Sequence, residues 1–388
     1  MKILLTSDWY IPAVNGVVTS VLNLKQGLEA LGNEVIILTL SGTRHSFEKD
    51  GVIYVGSVNA DAVYPGARFR ISFSKNWYHR IMEWKPDIVH SNCEFSTFHL
   101  AQRISRELQI PLVHTYHTVY ENYTHYFSPS KVWGRKLVTI FSRRVAAKTD
   151  ALIAPTEKVK KLLLGYGIST SIYVLPTGID QKKFIIDDKE TEKNLIRKQL
   201  GILPEQMVLV SVGRMAKEKN GSELIQMMTH FRGDNIRLLM VGDGPCRQQL
   251  QKQAEESGIS EQVVFTGAVL PEQVNRYYQA GDLFVSASTS ETQGLTYIEA
   301  LCSGLPMLCR RDDSLQGVIR ENINGWQYDC KTDFIQKVRY FMEHPKQQEA
   351  LSENSRQIGE RFSIAEFASH AERIYAEQIY NKLYAERI

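Results

Sequence analysis

Ser290-Glu291-Thr292-Gln293-Gly294-Leu295-Thr296-Tyr297-Ile298-Glu299-Ala300 sets two carboxylates eight positions apart, with a Gly-Leu pair between them. Ahead of it runs a short apolar segment, Leu283-Phe284-Val285-Ser286, and behind it Ala300-Leu301 leads to Ser303-Gly304 and Pro306. The pattern reads strand, loop, helix start, helix, stop. Glu291 falls in the loop and Glu299 about two turns into the helix. Free N–H groups and the positive dipole end at a helix start suit a diphosphate. One carboxylate could then face a sugar and the other a ribose, with phosphate between them. The plainer use of the same acids is one favouring the helix dipole and one on a solvated face.

Both halves of the chain alternate strand and helix. Strand candidates in the first half are Lys2–Thr6, Glu34–Leu40, Asp87–His90, Leu112–Thr115, Ala151–Ala154 and Ile172–Leu175. They are apolar runs without clean alternation, as expected of parallel strands covered on both faces. Val17, Val21, Leu24, Leu28 and Leu31 follow a helical period closed by Gly32. The second half restarts with Met207–Val212, Arg237–Val241, Val263–Thr266, Leu283–Ser286 and Met307–Cys309, and turns helical from Thr332 onward. The fold class is α/β, with two doubly wound domains. Residues 1–180 form the first, the charged stretch within 181–204 connects, 205–362 form the second, and a helix occupies 363–388.

A length of 388 residues suits two cores. No apolar run approaches the roughly 18 residues of a membrane span, and Lys2-Ile3-Leu4-Leu5-Thr6 enters a strand without a signal-peptide layout. Cys93, Cys246, Cys302, Cys309 and Cys330 lack metal-site or disulfide-framework spacing, as expected of idle thiols in a reducing cytosol. The net charge of +3 divides into +8 through Lys183 and −5 after it. That asymmetry suggests an anionic surface met by the first half alone.

Two segments of the first half fit such a surface. Tyr64 to Trp84 mixes Arg68, Arg70, Lys75 and Arg80 with Phe69, Phe73, Trp77, Tyr78 and Trp84. Lys131 to Lys148 reads as a helix with Trp133, Leu137, Ile140, Phe141 and Val145 on one stripe. Lys131, Arg135, Lys136, Arg143, Arg144 and Lys148 fall elsewhere on it, and it contains no acid. Basic amphipathic segments with interfacial aromatics lie on anionic membranes; a core-packing helix with a solvated basic face has the same pattern. Nucleic acid is another anion, but no recognition motif supports it.

Three further strings stand at strand ends, where α/β sheets keep their sites. His114-Thr115-Tyr116-His117-Thr118-Val119-Tyr120-Glu121-Asn122-Tyr123 follows one strand; its two histidines lack a third ligand, so no metal is expected. Gly213-Arg214 with Lys219 pairs a bidentate fork with a point charge, the usual pair for two linked phosphates, although cations near a helix start are more often simply solvated. Gly242-Asp243-Gly244-Pro245 is a turn that lets a nucleotide approach the backbone. The first strand is followed by Asn15-Gly16 instead of Gly-x-Gly-x-x-Gly, which does not support a dinucleotide site.

Glu291 to Glu299, as Glu-x7-Glu with Gly-Leu inside, resembles the signature of retaining nucleotide-sugar glycosyltransferases of the GT-B type. With Gln293 in place of the usual aromatic, and with Tyr120-Glu121-x-Tyr123, the chain is most similar to the branch that glycosylates diacylglycerol. The resemblance covers nearly the whole chain. It implies two Rossmann-like domains facing across a cleft, with a C-terminal helix crossing back to the first. It implies hexose transfer, with anomeric retention, from a UDP-sugar such as UDP-glucose to a diacylglycerol-type lipid, with no metal and no cofactor.

The same resemblance assigns roles to residues. Arg214 and Lys219 would clamp the diphosphate with the N–H groups near Gly294 and Leu295, and Gly16 would approach it. Gly242, Gly244 and Gln293 would wall the donor. Glu299 would hold the ribose, and Glu291 and His117 the hexose. Tyr120, Tyr123 and Tyr126 would line the acceptor groove. The implied location is the inner face of the cell membrane, peripheral and cytoplasmic. A soluble acceptor, a GDP-mannose donor with a phosphatidylinositol acceptor, and a non-catalytic nucleotide-sugar binder remain alternatives; the hexose epimer and oligomeric state stay open.

Overall fold

Strand pairing in the computed structural model, which describes residues 1–60, 67–71, 76–121 and 130–385, separates two sheets. The chain divides accordingly into Met1–Gly178 with Ile364 onward, and Ile179–Ser363. Each unit is a Rossmann-like α/β domain, and together they make the GT-B architecture.

In the first unit the strands are β1 (Lys2–Ser7), β2 (Glu34–Leu40), β3 (Phe47–Lys49), β4 (Val52–Val55), β5 (Ser57–Asn59), β6 (Arg68–Arg70), β7 (Ile88–Ser91), β8 (Leu112–Thr115), β9 (Ala151–Ala154) and β10 (Ser171–Val174). Their order in the main sheet is β10-β9-β8-β7-β1-β2-β4-β3, with β5 and β6 paired apart from it. Ile3, Leu4 and Leu5 are wholly buried, as covering of both sheet faces demands. Each such side chain contributes about 1.5–3 kcal/mol by leaving water. All main-sheet pairs are parallel except β3 with β4.

The strand β3 carries no apolar run, and β4, although apolar as Val52-Ile53-Tyr54-Val55, is not among the expected strands. They form a hairpin closed by Asp50-Gly51, both residues at positive φ (52° and 71°). Asp-Gly leading into the β-branched pair Val52-Ile53 is the available signal for that turn.

The C-terminal helix, Ile364–Ala385, belongs to the first unit. Phe367, Ala368, Ala371, Ile374 and Tyr375 enter the core formed by Val21, Leu24 and Leu28 of the helix Gly16–Ala30. The two helices meet at Gly27, where a Cβ would lie 2.6 Å from that of Ala368. Buried His90 on β7 ties the helix to the sheet, its Nδ1 2.6 Å from the Tyr375 hydroxyl and its Nε2 2.7 Å from Thr115.

The second unit carries β11 (Met207–Val212), β12 (Ile236–Val241), β13 (Val263–Phe265), β14 (Leu283–Ser286), β15 (Met307–Arg310) and β16 (Gly325–Tyr328). They run parallel in the order β13-β12-β11-β14-β15-β16.

The stretch 181–204, expected as a connection, is instead part of the second unit. Lys189–Gln199 is a helix packed against Val274–Ala280. Ile196 is in the core. Arg197 is 3% exposed, bonded to the carbonyls of Ala280, Pro204 and Gln206 and paired with Asp282 at 2.7 Å. Few apolar side chains anchor this helix, so its period is faint. Its ends are marked all the same: Asp188 caps Thr191 N–H, acids fill the first turn, and Arg197 and Lys198 lie in the last.

Candidate active site

Strand order in the second unit reverses between β11 and β14, and the loops leaving their carboxyl ends meet there. Such a switch point is where open α/β sheets bind ligands. Arg214 follows β11 with its side chain exposed and unpaired among the described residues. Lys219 lies farther along the same loop, and its Nζ is 2.5 Å from Oε1 of Glu291 on the loop after β14. Ser290 adds a hydrogen bond from Oγ to the Glu218 carbonyl, 3.0 Å. Two positions that sequence places 72 apart are thus one cation–carboxylate pair.

Gly294 starts the helix Leu295–Cys302 at φ 77°, ψ 78°, with no side-chain cap. A Cβ there would come within 2.6 Å of the Tyr297 ring, whose hydroxyl faces Ser286 Oγ at 3.2 Å. The loop can therefore turn tightly into the helix N-terminus through a glycine alone. Leu295 follows directly, and Gln293 is buried beside it.

Glu299 sits little more than one turn into this helix, nearer its start than the sequence suggests. Tyr278 donates its O–H to Glu299 Oε2 at 2.7 Å. Burial pushes the carboxyl above its ordinary value, and the Tyr278 bond partly offsets this.

Gly242 and Gly244 do not open space. A Cβ on Gly242 would lie 2.2 Å from the Gly213 carbonyl oxygen, and one on Gly244 2.4 Å from that of Met215. Met215 N–H donates to Asp243 O, and Cys246 N–H to Met215 O. The glycines bring the β12 loop against the loop that carries Arg214.

Two residues of this site are not evident from sequence. Tyr278, the orienting partner of Glu299, carries no local motif. Arg310 ends β15 and pairs with Glu223 at 2.5 Å, and Glu223 in turn accepts from Asn220. A cation at the end of a parallel strand is the signal that could have found Arg310, as it finds Arg214.

In the first unit the order reverses between β1 and β7. Asn15 caps the helix that Gly16 begins, through Val18 N–H at 3.0 Å. His117, after β8, faces Asn92 Oδ1 with Nε2 at 3.0 Å, so that nitrogen carries the hydrogen and Nδ1 is an acceptor. Burial lowers its pKa to about 3, keeping the imidazole neutral. Tyr120 donates to Glu94 Oε2 at 2.5 Å, while Glu94 Oε1 is 3.4 Å from His114 Nε2. Asp8, after β1, accepts Thr97 N–H at 2.7 Å, and burial pushes its carboxyl up to about 6.

The expected lipid-facing set divides. Trp77 is a core residue, packed with Ile81 and Trp84: the helix Asn76–Trp84 needs an apolar face against the sheet, and its tryptophans supply it. The Arg68 guanidinium is committed to Ser41 O, Gly42 O and Ser57 Oγ. Arg143 is bonded to the Tyr166 carbonyl and packs over Gly167. Arg135 pairs with Glu121 at 3.0 Å.

On the helix Lys131–Ala146, Val138 and Val145 face inward, whereas Trp133 (66%), Leu137 (52%) and Ile140 (48%) are exposed. Arg70, Arg144 and Lys136 are also exposed, the Lys136 ammonium 5.2 Å from the Trp133 ring centre. Tyr64, Phe73, Lys75, Tyr123, Tyr126 and the Lys131 side chain lie outside the described residues. Among the described residues, no group of three or more His, Cys, Asp or Glu could hold a metal ion, and no helix is long and apolar enough to cross a membrane.

Residues 192–358 match the family model of glycosyl transferases group 1, and residues 14–183 that of glycosyltransferase family 4. An alpha-monoglucosyldiacylglycerol synthase of Acholeplasma laidlawii is 32% identical over 98% of both chains. Another from Streptococcus pneumoniae is 36% identical over 84% of this chain and 75% of its own. Among solved structures, Anabaena HepE in complex with UDP superposes with a TM-score of 0.76 at 16% identity, covering 97% of this chain and 100% of its own. A full-length relative above 30% identity, joined to the paired Rossmann-like units, makes this chain a hexosyltransferase of the group 1 glycosyltransferase family.

Proposed function

We propose that the protein transfers glucose from UDP-glucose to a diacylglycerol at the inner surface of the cell membrane, with anomeric retention and without a metal. The observation that carries the donor half is the pairing of Lys219 with Glu291 at the second unit's switch point, on the loop that also bears Arg214 and beside the N-terminus that Gly294 opens. Negative charge develops on the departing diphosphate. Preorganised cations and N–H groups stabilise such charge in place. Glu299, oriented by Tyr278, accepts from the ribose hydroxyls, and Glu291 serves the hexose. Neutral His117 offers Nδ1 to a sugar hydroxyl.

The names of the two synthases support diacylglycerol as acceptor, and HepE's UDP supports the nucleotide. The exposed apolar stripe on a basic helix supports peripheral membrane attachment. The test is incubation with a panel of UDP- and GDP-sugars and mixed lipids, reading products by mass. Glucosyl-diacylglycerol from UDP-glucose is the expected product. A mannosylated phosphoinositide, a glycosylated soluble sugar, or no product with any donor would each replace the proposal.

A further inference from the structure

Lys219 reaches its place through a strained turn. The short 3-10 helix Lys217–Lys219 ends at Asn220, whose φ of 55° and ψ of 36° join it to the helix Gly221–Met228. Left-handed backbone is uncommon outside glycine, and asparagine only tolerates it better than most. Here the asparagine is restrained by its own side chain, which donates to Glu223 Oε2 at 2.5 Å. The other oxygen of Glu223 is held at 2.5 Å by the guanidinium of Arg310, at the end of β15. That bond raises the Arg310 pKa above its ordinary value. Tyr328 ends β16 nearby, and burial together with the Glu223 charge pushes its phenol up. A side-chain path thus runs from the sheet, through Glu223, to the residue that follows Lys219. The remaining ties of this turn go to the loop after β14, from Lys219 to Glu291 and from Ser290 to the Glu218 carbonyl. A diphosphate that takes the Lys219 ammonium breaks the first of these, whereas the path through Arg310 stays intact.

We propose that Arg310 and Glu223 are positioning residues for Lys219, holding Asn220 in its left-handed turn so that the ammonium stays aimed at the diphosphate once it leaves Glu291. Arg310 and Arg214 both stand at strand ends, but their surroundings differ. The Arg214 side chain is exposed and unpaired among the described residues, as suits a phosphate ligand, while Arg310 already has its carboxylate. The inference rests on the reading of Lys219 as part of a UDP clamp.

UDP affinity of the full chain, read by titration calorimetry, tests it. Lys219→Ala should weaken UDP by about ten-fold or more, as expected for a lost hydrogen bond from a charged group. Arg310→Gln with Glu223→Gln, which leaves no unpaired charge behind, should weaken it by about three- to ten-fold. Its denaturant midpoint should stay close to that of the wild type, because the pair is partly exposed. Added to Lys219→Ala, the same two changes should cost no further affinity, since no ammonium is left to place. Adding Asn220→Gly to them should recover much of the loss, because glycine takes a left-handed turn without restraint. Wild-type affinity in the Arg310/Glu223 variant, or no recovery with Asn220→Gly, would overturn the proposal. So would losses that add to that of Lys219→Ala, which would make Arg310 a direct donor ligand. Unchanged affinity in Lys219→Ala alone is a different result: it would overturn the donor reading and the positioning role with it.

Discussion

Glu291→Gln and Glu299→Gln should part company in their effect on UDP. In the free protein, Lys219 Nζ lies 2.5 Å from Glu291 Oε1, with side-chain exposures of 36% and 12%. Surface pairs contribute roughly 0.2–1 kcal/mol, and partial burial puts this one near the upper end. A diphosphate recruiting Lys219 must compete with that carboxylate. Removing the charge should therefore leave UDP affinity unchanged or raise it by up to about five-fold, the equivalent of about 1 kcal/mol. Transfer should nevertheless fall by on the order of 10²-fold, because the acid proposed to face the hexose is gone.

Glu299→Gln acts elsewhere. Its carboxylate is fixed by Tyr278 at 2.7 Å, and a charged hydrogen bond to ribose is worth about 1.5–3 kcal/mol. UDP affinity should drop by about ten- to a hundred-fold. Because burial raises the Glu299 pKa, wild-type UDP binding should weaken as pH falls at a higher pH than for an ordinary glutamate. The Gln variant should lack that component. Titration calorimetry with UDP, run from mildly acidic to mildly alkaline pH, reads both effects. Equal loss of UDP affinity in the two variants would refute the division of labour.

Arg214→Ala or Lys219→Ala should lower transfer by on the order of 10²-fold while EDTA leaves it intact; abolition by EDTA and rescue by magnesium would contradict a metal-free clamp. Gly294→Ala forces a Cβ into φ 77° and against the Tyr297 ring, costing about 1–3 kcal/mol; an unchanged melting temperature and transfer rate would show that the turn relaxes. Asp8 has a folded pKa of about 6 against an ordinary 3.8, so the folded state holds its proton more tightly and loses stability as pH rises between those values. Asp8→Asn should relieve this, stabilising the protein by up to about 3 kcal/mol more at about pH 8 than at about pH 4; identical denaturant midpoint shifts at both pH values would reject it. Trp133→Ser with Leu137→Ser should reduce flotation with anionic liposomes at unchanged stability, whereas Val138→Ser should cost about 1–3 kcal/mol of stability; the reverse pattern would exchange the two faces of that helix.

Much of the fold is legible because parallel strands buried on both faces write themselves as apolar runs, as Ile3-Leu4-Leu5 and Val208-Leu209-Val210 do. Strands with less to bury are not. The segment β6 has an exposed Phe69 between two arginines, and β16 opens with a glycine, so neither shows an apolar run. The charged helix Lys189–Gln199 resembles a linker for the same reason, since burial of Arg197 depends on carbonyls that come from elsewhere in the chain. Site residues follow a similar rule. Arg214, Lys219, Glu291 and Glu299 can be picked out because each stands near a strand end or helix start. Tyr278 cannot, because what matters about it is a 2.7 Å contact across the fold to a residue 21 positions away.

The helix Lys131–Ala146 shows where periodicity stops informing. Trp133, Leu137, Ile140, Phe141 and Val145 satisfy a helical period, which reads as one continuous stripe. Folding splits that stripe. Val145 joins a buried cluster, Phe141 packs against it, and Trp133, Leu137 and Ile140 stay in water. A stripe of apolar residues wider than one neighbour can cover has to end somewhere, and a hydrophobic pattern records no difference between a face that meets the sheet and one that meets solvent. Charge does not resolve it either, because Arg135 and Arg143 are held by polar groups of the same unit, whereas Lys136 meets only the exposed Trp133 ring and Arg144 has no such partner among the described residues. An uncovered Trp-Leu-Ile face beside uncommitted cations is costly in water and stabilised at an anionic bilayer interface. That difference, which the fold exposes and the sequence conceals, is what a membrane-facing side of the helix would require.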